Sequence, residues 1–306
     1  MEQSLTPDDT TGLPTPLVSI VMPCFRMGHF LPKSLASIDE QTYTNWELLV
    51  VDDCGPEDGT AKTVASFAER FDSGKVVYLR NEENQGVSKS RNVAIGRAAG
   101  QLVAFLDADD YWHPKFLATC VARFLSDPGL GVVASAVQVV DPANGTSTEH
   151  VMGTNSFERL HFPLSLSIGN LIQPSAAMVR AESVRAVGGF TVVAELQHVE
   201  DWDLWIRLVQ SGVSFGFIDE ALSYYRRHPG SATASDEKTS RLIANLIEHH
   251  RAWFDVSRLR YMKALVCEID LLRQQTARLE RPSIRLILKL DQWISSLLKP
   301  FSRANR

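Results

Sequence analysis

Apolar positions in the first half of this chain alternate between two periods. Leu17 to Met22 is a short, nearly unbroken apolar run, as expected of a strand covered on both faces, and after Gly28 the residues Leu31, Leu35 and Ile38 recur at helical spacing. The same couple returns with Leu48 to Val51 before Ala61 to Phe71, and with Val76 to Leu79 before Val87 to Ala98. A fourth run, Leu102 to Leu106, precedes a helical stretch at Pro114 to Leu125. Strands alternating with helices predict right-handed βαβ crossovers and an α/β fold with a doubly wound, mostly parallel sheet flanked by helices. Val132 to Val140 reads as a fifth strand, residues 141–155, rich in Gly, Thr, Ser and Asn, as a loop, and Asn170 to Val179 as extended again. Gly188-Gly189-Phe190 marks a turn, and Glu200 to Gln210 a helix closed by Gly212.

Sheets of this kind bind ligands beyond the carboxyl ends of their strands. Here the first four predicted strands end in Pro23-Cys24-Phe25, Asp52-Asp53, Arg80-Asn81 and Asp107-Ala108-Asp109-Asp110, so polar groups gather where a ligand would sit. Three acids crowded into one strand end repel one another unless a cation or a donor-rich ligand lies between them. A hard divalent ion that shares them with substrate phosphates suits that geometry. The competing reading is a solvated turn, or a cap on the helix that Pro114 opens. The polar residues at the other strand ends weigh against it.

Composition narrows the partners. With 306 residues, 44% of them apolar, the chain can bury one large core and carry an appendage. A net charge of −5 argues against a nucleic-acid partner. Cys24, Cys54, Cys120 and Cys267 show neither metal-ligand spacing nor a disulfide framework, and the acidic, proline-bearing segment 1–16 is unlike a secretory signal. It reads as a disordered leader and the chain as cytoplasmic. No apolar run is long enough to span a bilayer.

From about Ser235 the pattern becomes helical and strongly charged, which makes 235–306 a helical appendage to a domain over 17–234. Its last part, Pro282 to Phe301, gathers Ile284, Ile287, Leu290, Trp293, Ile294, Leu297 and Leu298 on one face and Arg285, Lys289 and Lys299 on the other. That face suits peripheral contact with the inner surface of a membrane, although Asp291 intrudes on it. Packing on the main domain or on a second copy, as a homo-oligomer, is the other use of the same face.

Pro23-Cys24-Phe25, Val51-Asp52-Asp53, Asn84-Gln85-Gly86 with Ser90-Arg91-Asn92, the acids at 107–110, Glu200-Asp201-Trp202 and Tyr225-Arg226-Arg227-His228 occur in one order along the chain. In that order, from about Val18 to Thr233, the sequence resembles the family 2 inverting glycosyltransferases of the GT-A fold, which transfer a sugar from a nucleotide-diphosphate donor. The resemblance implies that Asp53 accepts a hydrogen bond from the base, that Pro23 and Phe25 line the base slot, and that Arg91 approaches the nucleotide and its phosphates. It implies an Asp-x-Asp pair at Asp107 and Asp109, extended by Asp110, that meets the ribose and an Mg²⁺ or Mn²⁺ on the diphosphate. Asp107 is expected on the donor and Asp109 and Asp110 on the metal, with His228 as a further ligand and Arg226 on the diphosphate. Asp201 is the implied general base, with Glu200 and Trp202 on the acceptor side, the acceptor being a sugar or a lipid-linked sugar of a surface glycan.

Two departures stand out. Arg26 follows Phe25 where many relatives carry Asn, and the turn Asp52-Asp-Cys-Gly-Pro-Glu-Asp58 is longer than usual and lacks its Ser. A non-catalytic nucleotide-sugar-binding protein of the same fold is the alternative. A Rossmann dehydrogenase is excluded, since no Gly-x-Gly-x-x-Gly follows the first strand, and a nucleotidyltransferase would carry a glycine-rich basic loop where Pro23 to His29 stands.

Overall fold

The computed structural model describes residues 15–141, 146–152, 156–228 and 236–278. Strand β1 (Val18–Cys24) is buried along its whole length, because it lies between two parallel neighbours and helices cover both faces. Helix α1 (Leu31–Asp39) turns Leu31, Leu35 and Ile38 inward, as their spacing predicts, and leads to β2 (Trp46–Asp52). Helix α2 (Thr60–Ala68), β3 (Val76–Arg80), α3 (Val87–Arg97) and β4 (Leu102–Phe105) complete the parallel half, ordered β3-β2-β1-β4. The expected βαβ architecture is borne out there.

The second half of the sheet is mixed. After the acids comes a two-residue strand, β5 (Tyr111–Trp112), then α4 (Phe116–Ser126), β6 (Leu130–Asp141) and β7 (Thr146–Met152). The stretch expected as a loop at 141–155 thus contains a strand at 146–152, antiparallel to β6. It pairs with β6 alone among the described strands, and a segment so placed needs no apolar run in its sequence. Short helices α5 (Ser156–Leu160) and α6 (Ala181–Ala186) flank β8 (Ala177–Arg180), the only strand in the stretch expected to be extended from Asn170. Helix α7 (Glu200–Gln210) is followed by the long strand β9 (Ser214–Arg226), which has no counterpart in the periodicity reading. The sheet then runs β4-β8-β6-β9-β5.

Helices α8 (Asp236–His249) and α9 (Arg251–Arg278) account for the helical periodicity after Ser235. By compactness the chain divides into Met1–Arg251 and Ala252–Arg306, so α8 belongs with the sheet. The segments 1–14 and 282–301, read from the sequence as most of a leader and as an amphipathic helix, lie outside the described residues. Among the described residues no helix is long and apolar enough to cross a membrane.

The turn from α3 into β4 is fastened to the two neighbouring strands β1 and β2. Ser19 Oγ donates to Glu47 Oε1 at 2.5 Å and accepts the Gly100 N–H at 2.8 Å, while the Ala99 N–H reaches the same Glu47 oxygen at 2.7 Å. A Cβ at Gly100 would stand 2.5 Å from the Leu17 carbonyl oxygen and 2.8 Å from the Ser19 nitrogen, both backbone atoms of the central strand region. Gly100→Ala is therefore expected to cost about 2 kcal/mol by overpacking, read as a lower urea midpoint at unchanged m-value.

Candidate active site

The carboxyl ends of β1, β2 and β4 open onto one side of the sheet, and the predicted site residues meet there. Asp53 is buried, and its N–H donates to the Cys24 carbonyl at 2.8 Å, which ties the end of β2 to the end of β1. Its Oδ1 accepts from Asn81 Nδ2 at 2.7 Å and from the Gln85 N–H at 2.9 Å, and its Oδ2 from the Gly86 N–H at 2.7 Å. Gly86 holds φ 87° and ψ 161°, a conformation in effect reserved for glycine, and this angle turns the two N–H groups toward the carboxylate at the start of α3. Pro23 is buried within β1, whereas Phe25 is half-buried at its mouth.

Arg91, one turn into α3, is 3% exposed and bridges two distant acids. Its Nη2 reaches Asp107 at 2.7 Å and its Nη1 reaches Glu200 at 2.9 Å, with the Phe190 ring 4.9 Å from the guanidinium carbon. Burial works against its charge, yet the two carboxylates outweigh it and hold the group charged, above the ordinary guanidinium range. Expected on the phosphates, Arg91 instead joins the acid loop after β4 to the start of α7.

The acids divide by burial. Asp107 and Asp109 keep 29% and 18% of their side chains exposed, while Asp110 is 2% exposed and faces inward, where it accepts the Arg226 N–H at 3.2 Å. Burial and the neighbouring charge of Asp107 raise the pKa of Asp109; burial, then Asp109 and Asp107, raise that of Asp110 well above the carboxylate range. The helix-cap reading of this loop fails, because α4 starts at Phe116 with Lys115 at its cap and no side-chain capping bond. Asp109 Oδ2 lies 3.0 Å from His228 Nε2. Asp109 Oδ2 and His228 Nε2 are a pair of donors that suits a divalent cation, and a cation there would offset the repulsion between Asp107 and Asp109. Asp110, expected on the metal, stands behind that pair.

Arg226, expected on the diphosphate, is turned into the protein. Its Nη2 donates to the Phe30 carbonyl at 3.1 Å and to Ser34 Oγ at 2.9 Å, its Nε donates to the Asp109 carbonyl, and its guanidinium lies 4.8 Å from the Phe30 ring centre. Strand β9 delivers it there through pairing with β5, where Tyr111 stacks on Tyr224 at 4.6 Å. Ser34 Oγ also reaches the carbonyls of Ala108 and Asp110, both at 2.6 Å. The acid loop is thus clamped between α1 and the end of β9.

On the other side, α7 opens with Glu200 and Asp201. Asp201 Oδ2 accepts from Asn170 Nδ2 at 2.8 Å and Oδ1 from the Trp202 N–H at 2.8 Å. Burial, and next the Glu200 charge, push its pKa up to about 7. Glu200 Oε1 is held by Arg91, while its Oε2 is buried without a protein partner. Trp202, expected to offer a face to a sugar, is instead 5% exposed with its indole N–H on the Leu166 carbonyl at 2.9 Å. Beneath the same turn, buried Asp203 takes His250 Nε2 at 2.8 Å and Arg207 Nη2 at 2.7 Å; burial alone would raise its pKa, but these two partners bring it below the usual range. Sequence reasoning missed Asn170, Ser175 and His250. Ser175 Oγ accepts the Asp107 N–H at 3.1 Å from 68 positions away, and no local pattern signals such a contact. Only the paired His249-His250 at a helix end offered a cue.

The sequence pattern of the family described as Glycosyl transferase family 2 matches residues 19–188, more than half of the chain. The chain belongs to that glycosyltransferase family. It is 27% identical over 259 residues, covering 83% of this chain and 94% of the relative, to TuaG of Bacillus subtilis (strain 168), a glycosyltransferase provisionally assigned to teichuronic acid biosynthesis. Over 111 residues, 36% of this chain and 42% of the relative, it is 40% identical to WfgD of Escherichia coli, named as a UDP-Glc:α-D-GlcNAc-diphosphoundecaprenol β-1,3-glucosyltransferase. Among solved structures the fold resembles the mannosyltransferase PcManGT of Pyrobaculum calidifontis in complex with GDP-Man and Mn²⁺, with a TM-score of 0.59 at 18% identity over 99% of this chain and 86% of that one. It also resembles residues 1–349 of S. aureus TarS in complex with UDP, with a TM-score of 0.57 at 22% identity over 75% of this chain and 64%, just under two thirds, of that one.

Arg91→Ala leaves Glu200 buried with no cation beside it, and is expected to cost about 3 kcal/mol in urea unfolding. Adding Glu200→Gln should recover part of that loss, since the orphaned charge is then gone; a double variant no more stable than Arg91→Ala would speak against the ion pair as the cause.

Proposed function

We propose that this chain is an inverting, metal-dependent glycosyltransferase that moves a hexosyl-type sugar from a nucleotide-diphosphate donor to an acceptor hydroxyl in the synthesis of a cell-surface glycan. The observation that carries the reading is Asp201: a half-buried carboxylate with a pKa near 7, fixed by Asn170 and the helix backbone, and joined through Glu200 and Arg91 to the Asp107 end of the acid loop. A base poised near neutrality accepts a proton efficiently without being fully protonated at working pH.

In the proposed step the acceptor oxygen forms a bond to the anomeric carbon while the bond from that carbon to the diphosphate oxygen breaks, its electron pair leaving with the diphosphate. The acceptor's proton passes to Asp201. One displacement from the face opposite the leaving group inverts the carbon. Asp109, with Asp107 and His228, would hold Mg²⁺ or Mn²⁺ on the diphosphate, and the ion when bound stabilises the negative charge that collects there. Asp53 and Phe25 take the base and Asp107 the ribose side of the donor. Pro23 shapes the start of the base slot. Arg226 and Asp110 act as positioning residues that keep the acid loop in place, and Trp202 packs the base of α7.

The names of the relatives support the substrate class. WfgD is named for a UDP-sugar donor and a lipid-diphosphate-linked acceptor, and TuaG for a wall polymer. A lipid-linked acceptor would place the enzyme at the inner face of a membrane, and the apolar face read from the sequence at 282–301 supplies a means of peripheral contact.

The test is nucleotide release from a panel of nucleotide sugars with Mn²⁺; folded protein that neither hydrolyses nor transfers any donor, with or without lipid-linked acceptors, would overturn the proposal. Asp201→Asn is expected to keep nucleotide binding and to lower turnover by about 10² to 10⁴-fold. Since Asp201 must be deprotonated to act, wild-type kcat/KM should rise with pH, about tenfold per unit well below its pKa, and level off above about 7. A flat profile between pH 5 and 8 would remove Asp201 as the base.

A further inference from the structure

Three non-glycine residues among those described adopt left-handed backbone angles: Arg26 (φ 60°), Cys54 (φ 58°) and His198 (φ 71°). Such angles strain a residue that carries a Cβ, and they persist where the surroundings impose them, often at binding sites. Two of the three stand side by side. Arg26 follows the end of β1 and Cys54 the end of β2, and a Cβ on the next residue, Gly55, would lie 3.4 Å from the Arg26 nitrogen, 3.9 Å from Phe25 and 3.2 Å from Asp52 Oδ1. The two turns are packed together beside Phe25 and Asp52, the residue before Asp53.

The left-handed turn folds the Arg26 side chain back over the Phe25 ring, with the guanidinium carbon 5.0 Å from its centre. The other arginines along this edge are engaged: Arg80 with Asp52 and the Gly55 carbonyl, Arg91 with two acids, Arg226 with backbone carbonyls. Arg26 is exposed and has no carboxylate or carbonyl partner among the described residues, so a planar fork of N–H donors lies over the Phe25 ring with no oxygen to bind. Asp53 is its complement. Three of the roughly four lone-pair directions of that carboxylate are occupied by protein donors, two on Oδ1 and one on Oδ2, and one acceptor position on Oδ2 is left.

We infer that Arg26 and Asp53 together read a ring N–H beside a carbonyl on the nucleobase, Asp53 accepting from the N–H and Arg26 donating to the oxygen. The inference rests on the donor-binding role proposed above for this slot, and it extends that role to base selectivity. Uracil, thymine and guanine present such an edge. Cytosine and adenine present an unprotonated ring nitrogen beside an amino group, which would set acceptor against Asp53 and donor against Arg26; a mismatch of that kind discriminates by leaving desolvated polar groups unpaired. The longer turn at Cys54-Gly55-Pro56 belongs to the same device, because it is the turn that packs against the Arg26 backbone.

Calorimetric titration of the full chain with UDP, dTDP, GDP, CDP and ADP in the presence of Mn²⁺ tests this, with wild type, Arg26→Ala and Arg26→Asn. Wild type should bind at least one of UDP, dTDP and GDP about ten- to a hundredfold more tightly than CDP and ADP. In Arg26→Ala and Arg26→Asn that ratio should fall by about tenfold, with CDP and ADP affinities unchanged and the unfolding temperature nearly preserved, since the exposed side chain makes no hydrogen bond among the described residues and meets only the Phe25 ring. An unchanged ratio in Arg26→Ala overturns the inference, as does an equal loss for all five nucleotides, which would place Arg26 on the phosphates. A wild type that binds some nucleotides but prefers CDP or ADP overturns it as well. Absence of binding by every nucleotide to folded wild type would instead sink the donor-binding reading itself.

Discussion

The rest of the site depends on one buried cation. Arg91 is almost wholly removed from water and balances Asp107 at the end of β4 and Glu200 at the start of α7, two residues that the chain separates by 93 positions. Removing a guanidinium from water costs several kcal/mol, and the cost is offset here because both carboxylates approach within hydrogen-bond distance and an aromatic face covers the ion. The consequence is geometric. The acid loop proposed to hold the donor and the helix turn that carries the proposed base cannot drift apart without exposing an unpaired charge, so the two halves of a displacement reaction are held in register by one side chain.

Two further devices extend that rigidity. Arg226 fastens the acid loop from the other side by donating to carbonyls and to Ser34 Oγ, while the carboxylates of Asp107 and Asp109 stay partly exposed. Asp203 is locked by His250 and Arg207, so the first turn of α7 is pinned at Asp203 as well as at Glu200. Within this frame Asp201 is held in conditions that penalise its charge, namely burial and an adjacent carboxylate, at a helix start that would otherwise favour an anion. A raised pKa at the acid proposed to take the proton is what a base near neutrality needs, and the surrounding clamps keep the unfavourable arrangement from relaxing.

Much of this was legible in the sequence. The parallel strands, their helices and the gathering of Phe25, Asp53, Asp107 and Asp109 at the strand ends follow from local periodicity and from the topological rule that such sheets bind ligands at those ends. The order of the motifs carried the family. What failed was of one kind. Strand β9, β7 and the partnerships of Arg91, Arg226, Trp202 and Asp110 rest on contacts between residues far apart in the chain, and a residue type cannot announce whether its partner will be a ligand or a distant part of the protein.

The sequence by itself therefore determined which chemistry is available: the acids, the cations, the strand ends they occupy, and the Arg26 that follows Phe25. Only the tertiary structure decided how each group is used. Burial and pairing turned two of the expected ligand-binding arginines into clamps, set Asp110 behind Asp109, pushed the Asp201 pKa toward neutrality and left Arg26 over the Phe25 ring with no oxygen partner. The physical reason is that desolvation and Coulomb energies depend on what lies within a few ångströms in space, and the linear order of residues fixes those neighbours only inside a single strand or helix.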